Sequence, residues 1–307
     1  MFSRPLQNLL PKYTFLNILH TSSSSEIYHV HDPLGNEYAL KVFNSRTNDE
    51  VFKNELSNCR LLCNVENPDF IRYITSSEDD GISSVKYITF ELAEKRSLDN
   101  YISSEVPFGE TLTKFMFFNI AKMAEKLHKL CFSHRDLNIH NILLNRNYKL
   151  KLGGFGSTKY CLNHNGKSVL LFGRVGTPYF MAPEIEKKSY DGKKVDIFSL
   201  GVLLLHLRTG IQIFEVHKER VYNYIKKQKY DLFWQFVEAG RPELKLTPEF
   251  KELTVSMLNY NYKIRPDITD ILQHPWFNDI RNLNSGDVLA YENLVKQKLK
   301  QIEKKQY

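Results

Sequence analysis

The residues that could do chemistry in this chain lie in short motifs spread over most of its length. Lys41 interrupts an apolar run, Glu55 follows in a segment of helical spacing, and Asp136 and Asn141 share one polar motif. Ammonium, carboxylate and amide groups are side chains that bind anions, accept protons or hold cations. In chain order the motifs are 38–42 (YALKV), Glu55, 134–141 (HRDLNIHN), 153–156 (GGFG), 176–184 (GTPYFMAPE), 196–201 (DIFSLG), 265–266 (RP) and 274–277 (HPWF).

Any one of these motifs could occur by chance, but the whole set in this order could not. The set resembles the eukaryotic protein kinases, most closely the serine/threonine branch, across about residues 13–277. The resemblance implies an α+β, bilobal protein-kinase-like fold, with a small β-rich N-lobe that has one main helix and a larger, mainly helical C-lobe. It puts the N-lobe at about 13–92 and the C-lobe at about 93–277, followed by a basic helical extension over 278–307.

The resemblance also implies roles for individual residues. Lys41 would contact the α- and β-phosphates of ATP, and Glu55 would hold its ammonium group in place. Asp136 would accept the proton of the substrate hydroxyl and Asn141 would hold a second Mg²⁺, with Asn138 between them in the catalytic loop. The other residues expected to bind the nucleotide are Leu19, Ser22, Ser25, Ile27, Ala39, Phe90 and Leu143.

Several positions depart from the kinase pattern, and the first is the loop expected to cover the phosphates. The run 20–25 (HTSSSS) contains none of the glycines of that loop. Glycine suits a loop that approaches phosphate because it has no Cβ, whereas serine hydroxyls could donate hydrogen bonds and hold a nucleotide less tightly. Ile27, Ala39 and Leu143 match the positions that enclose adenine, and bulky Phe90 would narrow the back of the pocket.

The second departure concerns metal binding. Gly154 takes the place of the aspartate that binds Mg²⁺ in kinases, and no Asp or Glu lies between Asp136 and Glu184. Divalent cations of this kind require oxygen ligands, preferably anionic, but the same stretch carries the basic residues Arg146, Lys149, Lys151, Lys159, Lys167 and Arg174. If a cofactor binds, we therefore expect ATP, with weak or absent Mg²⁺ and no metal ligand among the site residues.

The remaining departures weaken the case for catalysis. Asn138 stands where serine/threonine kinases have a lysine that neutralises the transferring phosphoryl group. Arg135 belongs to the arrangement that usually receives a phosphorylated activation segment, but Gly173 occupies a common acceptor position, which leaves Thr158 and Ser168 as alternatives. The motif that docks substrate peptides is complete, so we expect a surface that binds a protein substrate, a pseudosubstrate or a regulatory partner.

The elements that must position these residues follow from the spacing of apolar side chains. The first third predicts a small sheet with one helix, in strands over 13–19, 26–31, 37–43, 70–76 and 85–90 and a helix over 49–65, with a polar turn over 77–84. The remainder predicts amphipathic helices, the clearest over 112–130, and a helix over 196–207 that is apolar on nearly all sides and so buried. We expect Glu184 and Arg265 to form a buried ion pair, and the Lys-rich helix after Phe277 to be an exposed appendage.

The composition is that of an ordinary globular protein, with 42% hydrophobic and 25% charged residues in 307. Its longest apolar run, over 197–207, is too short to cross a bilayer. The N-terminus has neither an apolar signal core nor a glycine for myristoylation. The four cysteines form no CxxC pair, which argues against a disulfide scaffold or a zinc ribbon and predicts a reducing compartment, the cytoplasm or the nucleus.

The charge is moderately basic, because 42 Lys and Arg outnumber 35 Asp and Glu and give a formal net charge of +7. Such an excess could indicate a nucleic-acid or anionic-lipid partner. Zinc-finger spacing, ribonucleoprotein motifs and basic-zipper heptads are all missing from the sequence. We therefore expect no specific nucleic acid and no membrane span.

Three hypotheses for the function remain. The favoured one is a catalytically impaired pseudokinase that acts as a signalling regulator or scaffold and binds ATP with little metal dependence. The second is an active serine/threonine kinase that transfers the ATP γ-phosphate to protein with an unusual metal arrangement, because the four catalytic positions are kept. The third is a module that binds only anions or nucleic acid.

Overall fold

We describe the protein from a computed structural model, in which the described residues are 5–44, 47–63, 68–80, 85–102, 108–216 and 218–306. The chain divides into two compact units: the first comprises Met1–Arg96 and Leu143–Gly156, and the second Ser97–Ile142 and Ser157–Tyr307. The first unit is rich in strands and the second is mainly helical, which confirms the predicted α+β class. The division after Arg96 differs slightly from the expected lobe limit at 92, and the domain limits themselves stay a prediction.

The first unit is built on a five-stranded antiparallel sheet with the order β1-β2-β3-β5-β4. Its strands are β1 Thr14–Thr21, β2 Ser25–His31, β3 Glu37–Phe43, β4 Tyr73–Ser76 and β5 Tyr87–Glu91. Its helices are α1 Pro5–Leu9, α2 Asp49–Cys63 and α3 Ser77–Asp80. The turn between β2 and β3 closes because the Asp32 carboxylate accepts the backbone amides of Leu34 and Asn36, and Gly35 supplies a φ of +82°.

The two faces of this sheet carry different sets of side chains, because side chains alternate along each strand. Tyr28, Val30, Leu40 and Val42 point to one face and are buried in a core with Tyr87. The opposite face carries Lys41, Ile27, Ala39 and Phe90, four of the residues expected to bind the nucleotide. Helix α2 buries its apolar stripe of Phe52, Leu56, Cys59 and Leu62, as its helical spacing predicts.

The chain around β4 differs from the prediction. The strand begins at Tyr73 rather than at residue 70, and Phe70 instead forms an isolated bridge with Leu152. The first part of the predicted polar turn is helix α3, because the Asp79 carboxylate accepts hydrogen bonds from the backbone amide and hydroxyl of Ser76. The rest of that turn, over 81–84, lies outside the described residues.

Four short strands form two small sheets. β6 Phe132–Ser133 pairs with β9 Lys159–Tyr160, and β7 Ile142–Leu144 pairs with β8 Leu150–Leu152. The larger helices of the second unit are α4 Glu110–Lys129, α5 Gly192–Thr209, α6 Ile213–Val216, α7 Lys218–Lys226, α8 Tyr230–Ala239, α9 Pro248–Met257, α10 Ile268–Gln273 and α11 Ser285–Gln306.

Helix α5 is buried on nearly all sides, as predicted from its apolar sequence. The Asp191 side chain caps its first turn by accepting the amide of Lys194, and Gly210 ends it with a φ of +70°. A Cβ at Gly201 would lie only 3.0 Å from Met257 and Leu258, so glycine permits close packing of α5 on α9. No helix in the described part of the chain is long and apolar enough to cross a membrane.

The predicted ion pair between Glu184 and Arg265 is confirmed. The two guanidinium nitrogens lie 2.5 and 2.8 Å from the two carboxylate oxygens, and the side chains are 0% and 2% exposed. Arg265 also donates to the backbone carbonyls of Asn259 and Lys194, at 2.7 and 2.8 Å. The pair therefore joins separate segments of the second unit, because its partners come from the chain before α5, from α5 itself and from the loop after α9.

Helix α11 is not the exposed appendage that the sequence predicted. Val295, Leu299 and Ile302 are buried, and the Tyr291 ring stacks on Phe115 of α4 with centroids 5.1 Å apart. The Tyr101 hydroxyl also donates to the helix's Glu303 carboxylate at 2.5 Å. The apolar residues recur at helical spacing, so they form a stripe that requires a partner. In the sequence, the surrounding lysines favoured the interpretation as an exposed helix.

Candidate active site

In the first unit Lys41 and Glu55 form a close pair. The Lys41 ammonium, on β3, donates to both carboxylate oxygens of Glu55, on α2, at 2.7 Å. The side chains are 18% and 5% exposed, so solvent screens the pair only weakly. A Cβ at Gly156 would lie 2.8 Å from the Glu55 carboxylate, so glycine leaves room for this pair.

Helix α2 also holds the 153–156 motif, through two residues that the sequence analysis missed. The Asn54 side chain donates to the carbonyl of Gly156 at 2.8 Å, and that of Asn58 donates to the carbonyl of Phe155 at 3.0 Å. Asn54 and Asn58 are four residues apart and therefore lie on one face of the helix. The available signal was an amide on each side of Glu55, at helical spacing.

The 153–156 backbone brings an exposed glycine to the position of the missing aspartate. Gly154 has a φ of +77°, in the left-handed region that L side chains rarely adopt. A Cβ at Gly153 would meet the Leu143 side chain at 2.9 Å. Among the described residues no three His, Cys, Asp or Glu side chains lie close enough together to hold a metal ion.

The serine loop forms a tight turn between β1 and β2. The Ser22 amide donates to the carbonyl of Ser25 at 2.8 Å, and the Ser22 hydroxyl donates to the same carbonyl at 3.0 Å. Asn44 and Thr47 donate to the carbonyls of Ser23 and Ser24, at 2.6 and 2.7 Å. The hydroxyls therefore serve the turn itself, and the role of Ser22 and Ser25 in nucleotide binding stays a prediction.

Three of the residues expected around adenine, Ile27, Ala39 and Phe90, lie on the sheet face that also carries Lys41. Residues directly opposite in antiparallel strands project to the same face, and the register pairs Ile27 with Lys41 and Ala39 with Phe90. Ile27, Ala39 and Leu143 are half-buried, whereas Phe90 is buried. The face is thus apolar beside one ammonium group, which fits an adenine nucleotide.

Leu19, the remaining expected nucleotide-binding residue, lies at an irregularity of β1. The register between β1 and β2 shifts between Ile18 and His20, so Leu19 is the extra residue of a β-bulge. A bulge re-aims side chains and increases the local twist. The Leu19 side chain is half-buried, and its contact with a nucleotide stays a prediction.

In the second unit Asp136 is the centre of a hydrogen-bonded cluster. Its Oδ1 accepts from the Asn138 side chain, the Thr177 amide and the Thr177 hydroxyl, each at 2.8 Å. The Asn141 side chain donates to the carbonyl of Asp136 at 2.8 Å and to its Oδ2 at 3.3 Å. Sequence reasoning chose Asp136, Asn138 and Asn141 as site residues but did not include Thr177.

Asn138 does two things in this cluster. Its Oδ1 accepts the amides of His140 and Asn141 at 2.9 and 3.1 Å and so caps the short 3₁₀ turn Ile139–Asn141. Its amide nitrogen bonds Asp136 and, at 2.9 Å, the hydroxyl of Thr177. Asn138 thus holds its neighbours in place, but it brings no positive charge to the site.

Asp196, in the second turn of the buried helix α5, holds the backbone of the loop that contains Asp136. Its carboxylate accepts from His128 Nε2 at 2.9 Å and from the amides of His134 and Arg135 at 2.8 and 2.7 Å. Burial alone would raise the pKa of Asp196, but the His128 contact and the backbone hydrogen bond outweigh it, and the pKa lies below the usual value. The backbone of Arg135 has a φ of +63°, which these bonds help to hold.

Each unit therefore carries its own share of the expected groups. The first has an ammonium–carboxylate pair beside an apolar face, and the second has an oriented carboxylate with amide and hydroxyl partners. A family model described as "Protein kinase domain" matches residues 13–277. The chain belongs to the protein kinase family.

Curated relatives are serine/threonine kinases by family. The delta subunit of calcium/calmodulin-dependent protein kinase type II from Oryctolagus cuniculus is 30% identical over 253 residues, covering 80% of this chain and 44% of that protein. Calcium-dependent protein kinase 5 from Plasmodium berghei (strain Anka) is 31% identical over 257 residues, covering 81% of this chain and 42% of that protein. The chain thus matches less than half the length of these relatives.

Proposed function

We propose that this chain is a kinase-fold regulator with little or no phosphotransfer activity, whose first unit binds ATP with little dependence on Mg²⁺. The observation that carries this proposal is Gly154, which has no side chain where a metal-binding carboxylate is required. Protein kinases generally use ATP together with Mg²⁺, so the proposal concerns this chain in particular. The kinase unit would span 13–277, with the helical extension over 278–307.

Two carboxylates of the first unit are already engaged by lysines. Glu55 pairs with Lys41, and Glu91 pairs with Lys151 at 2.6 Å. A hard divalent cation requires several oxygen ligands, and recruiting either carboxylate would leave a lysine without its partner. These residues do not fit Mg²⁺, so the proposal includes no step through the metal.

The same unit does fit an adenine nucleotide. When bound, ATP would supply the phosphate anions, and the Lys41 ammonium, oriented by Glu55, would bind them. The half-buried side chains of Ile27 and Ala39 on one sheet face, together with Leu143 of β7, would bind the purine ring by excluding water. Lys41 lies on the same sheet face as Ile27, so it would be the main cation for the phosphates.

Protein partners would bind the second unit. The peptide-docking motif 176–184 is complete in the sequence, and Tyr222 donates to the carbonyl of Met181 within it at 2.5 Å. Such a surface can hold a protein substrate, a pseudosubstrate or a regulatory partner whether or not phosphate is transferred. We propose the cytoplasm or the nucleus as the compartment, because Cys131 and Cys161 form no disulfide bond.

An active serine/threonine kinase is the second candidate, and the Asp136 cluster favours it. Its carboxylate is held by Asn138, Asn141 and Thr177 in an arrangement that could accept a hydroxyl proton. Both relatives are also named as protein kinases.

One experiment separates the two candidates. Phosphotransfer to a generic basic protein is measured with Mg²⁺ and with Mn²⁺ for the wild type and for Asp136→Asn, which removes the anionic acceptor. The regulator proposal expects the same background in both proteins. Robust transfer that Asp136→Asn abolishes would establish the active kinase instead, and both proteins are first checked for equal melting temperatures.

A further inference from the structure

Arg135, next to Asp136 in the second unit, is a buried cation whose partners all come from this chain. It is 6% exposed. Its Nε donates to the carbonyl of Ser157 at 2.7 Å, and its Nη1 donates at 3.1 Å to the carbonyl of Phe172 and to the hydroxyl of Tyr190. These acceptors are neutral. Ser157 and Phe172 lie at the beginning and near the end of the segment 157–176, and Tyr190 lies outside it.

Tyr190 connects that segment to the chain before α5. Its hydroxyl donates to the carbonyl of Gly173 at 2.7 Å while it accepts from Arg135. Its backbone exchanges hydrogen bonds with Leu171, at 2.8 and 3.0 Å. Tyr190 is 1% exposed, so water does not compete for these bonds. Gly173 has a φ of +89°, a conformation that favours glycine at the residue whose carbonyl accepts from the Tyr190 hydroxyl.

Both ends of the segment are tied to the catalytic loop. At the start, β9 pairs with β6, directly before the loop. At the end, a Cβ on Gly176 would lie 2.6 Å from the carbonyl of Arg135, so the chain passes the loop as closely as a backbone can. Thr177 then binds the Asp136 carboxylate. Tyr190 provides a further anchor shortly before this end, at residues 171–173.

A phosphate on such a segment acts by giving a nearby arginine a partner that orders the chain. Here the arginine already has three acceptors, and one of them is a buried hydroxyl that also binds the segment. We propose that Tyr190 is a positioning residue which, together with Arg135, holds residues 157–176 in order without phosphorylation. This inference goes beyond the proposed function and applies equally to the regulator and to the active kinase.

Hydrogen exchange tests the proposal without any need for activity. The protein is treated with phosphatase, its mass is checked, and exchange is followed in peptides that cover 157–176. We expect protection that the phosphatase does not change. Tyr190→Phe removes the hydroxyl alone and should speed exchange in this segment roughly tenfold, because it leaves buried groups unpaired. Tyr160→Phe is the matched control, since Tyr160 lies on the same segment but is 49% exposed.

A double-mutant cycle distinguishes positioning from general support. If the hydroxyl and the guanidinium act together, Tyr190→Phe should speed exchange less in an Arg135→Met background than in the wild type. Multiplying effects would overturn the coupling. An unprotected segment in the phosphatase-treated wild type, or equal exchange in Tyr190→Phe and Tyr160→Phe, would overturn the proposal. The comparison of the wild type with and without phosphatase treatment tests whether the order needs phosphorylation, even if a variant fails to fold.

Discussion

At the scale of single residues, we expect position 154 to decide between metal-dependent and metal-independent nucleotide binding. Its φ of +77° is a conformation that Asp and Asn tolerate better than other L residues. Gly154→Asp should therefore restore a metal ligand without rebuilding the backbone. We expect ATP to raise the melting temperature of the wild type equally in EDTA and in excess Mg²⁺, and that of Gly154→Asp more in Mg²⁺.

Gly154→Asn is the matched control for this thermal-shift experiment. It has the same shape and the same tolerance of positive φ but no charge, so it should behave like the wild type. Stabilisation of the wild type only with Mg²⁺ would contradict the proposed role of Gly154. An absence of stabilisation under both conditions would mean that the first unit does not bind ATP.

Glu184 shows how much burial changes the worth of an ion pair. Glu184→Ala removes the partner of Arg265, which is 0% exposed, and we expect the free energy of unfolding to fall by about 3–5 kcal/mol. Glu186→Ala, two residues away, breaks the pair with Arg174, in which both side chains are more than half exposed, and should cost less than about 1 kcal/mol. Urea unfolding of both variants makes the comparison, and equal losses would contradict it.

At the scale of elements, local pattern predicted the sheet, α2 and α5 well, because each has a regular alternation or helical stripe of apolar residues. It placed the start of β4 too early, because Phe70 is apolar but bonds to Leu152, which is distant in sequence. It also missed the burial of α11, since a stripe of Val295, Leu299 and Ile302 gives no sign of where its partner lies.

The candidate site divides in the same way. Lys41, Glu55 and Asp136 belong to motifs whose order is visible in the sequence. The supporting bonds from Asn54, Asn58 and Thr177 are visible only in the fold, because they join residues 39 to 102 positions apart. Tyr190 is a further case: nothing in the sequence indicates that its hydroxyl meets Arg135.

Helix α5 contains a histidine that should make stability depend on pH. Burial lowers the pKa of His206 to about 4, while Asp99 opposes this shift and His140 adds to it. Its Nδ1 lies 3.5 Å from the Gln212 side chain, and its ring is 6.4 Å from that of Phe180. The unfolded chain, with a histidine pKa near 6.5, therefore binds more protons than the folded one between about pH 4 and 6.5.

The contribution of His206 is fully present above about pH 6.5 and is lost as the pH falls towards 4. Between pH 7 and pH 5 the wild type should lose about 2 kcal/mol more than His206→Gln does. Urea unfolding at both pH values measures this difference. His164→Gln is the control, because His164 is exposed and is not one of the groups that shift the pKa of His206. Identical losses in the wild type and His206→Gln would show that burial does not control this histidine.

At the scale of the whole molecule, the net charge of +7 is unevenly distributed along the chain. Between residues 157 and 190, in the second unit, the exposed acidic residue is Glu186, and it already pairs with Arg174. The other exposed charges there are those of Lys159, Lys167, Lys187 and Lys188. Phe172, 69% exposed, adds an apolar group to the same stretch. A partner with acidic residues beside an apolar one would match this composition.

We therefore expect an acidic peptide to bind this protein more tightly than a basic peptide of the same length. Both peptides carry alanine instead of serine, threonine or tyrosine, so that fluorescence anisotropy reports binding alone. Raising the salt concentration should weaken the binding of the acidic peptide, because screening acts on exposed charges. Replacing both Lys187 and Lys188 with Glu should weaken this binding roughly tenfold. The same change of net charge at Lys304 and Lys305, exposed on α11, should have little effect if the location of the charge matters. Equal losses in the two double variants would mean that the peptide responds to total charge, and tighter binding of the basic peptide would contradict the expected preference.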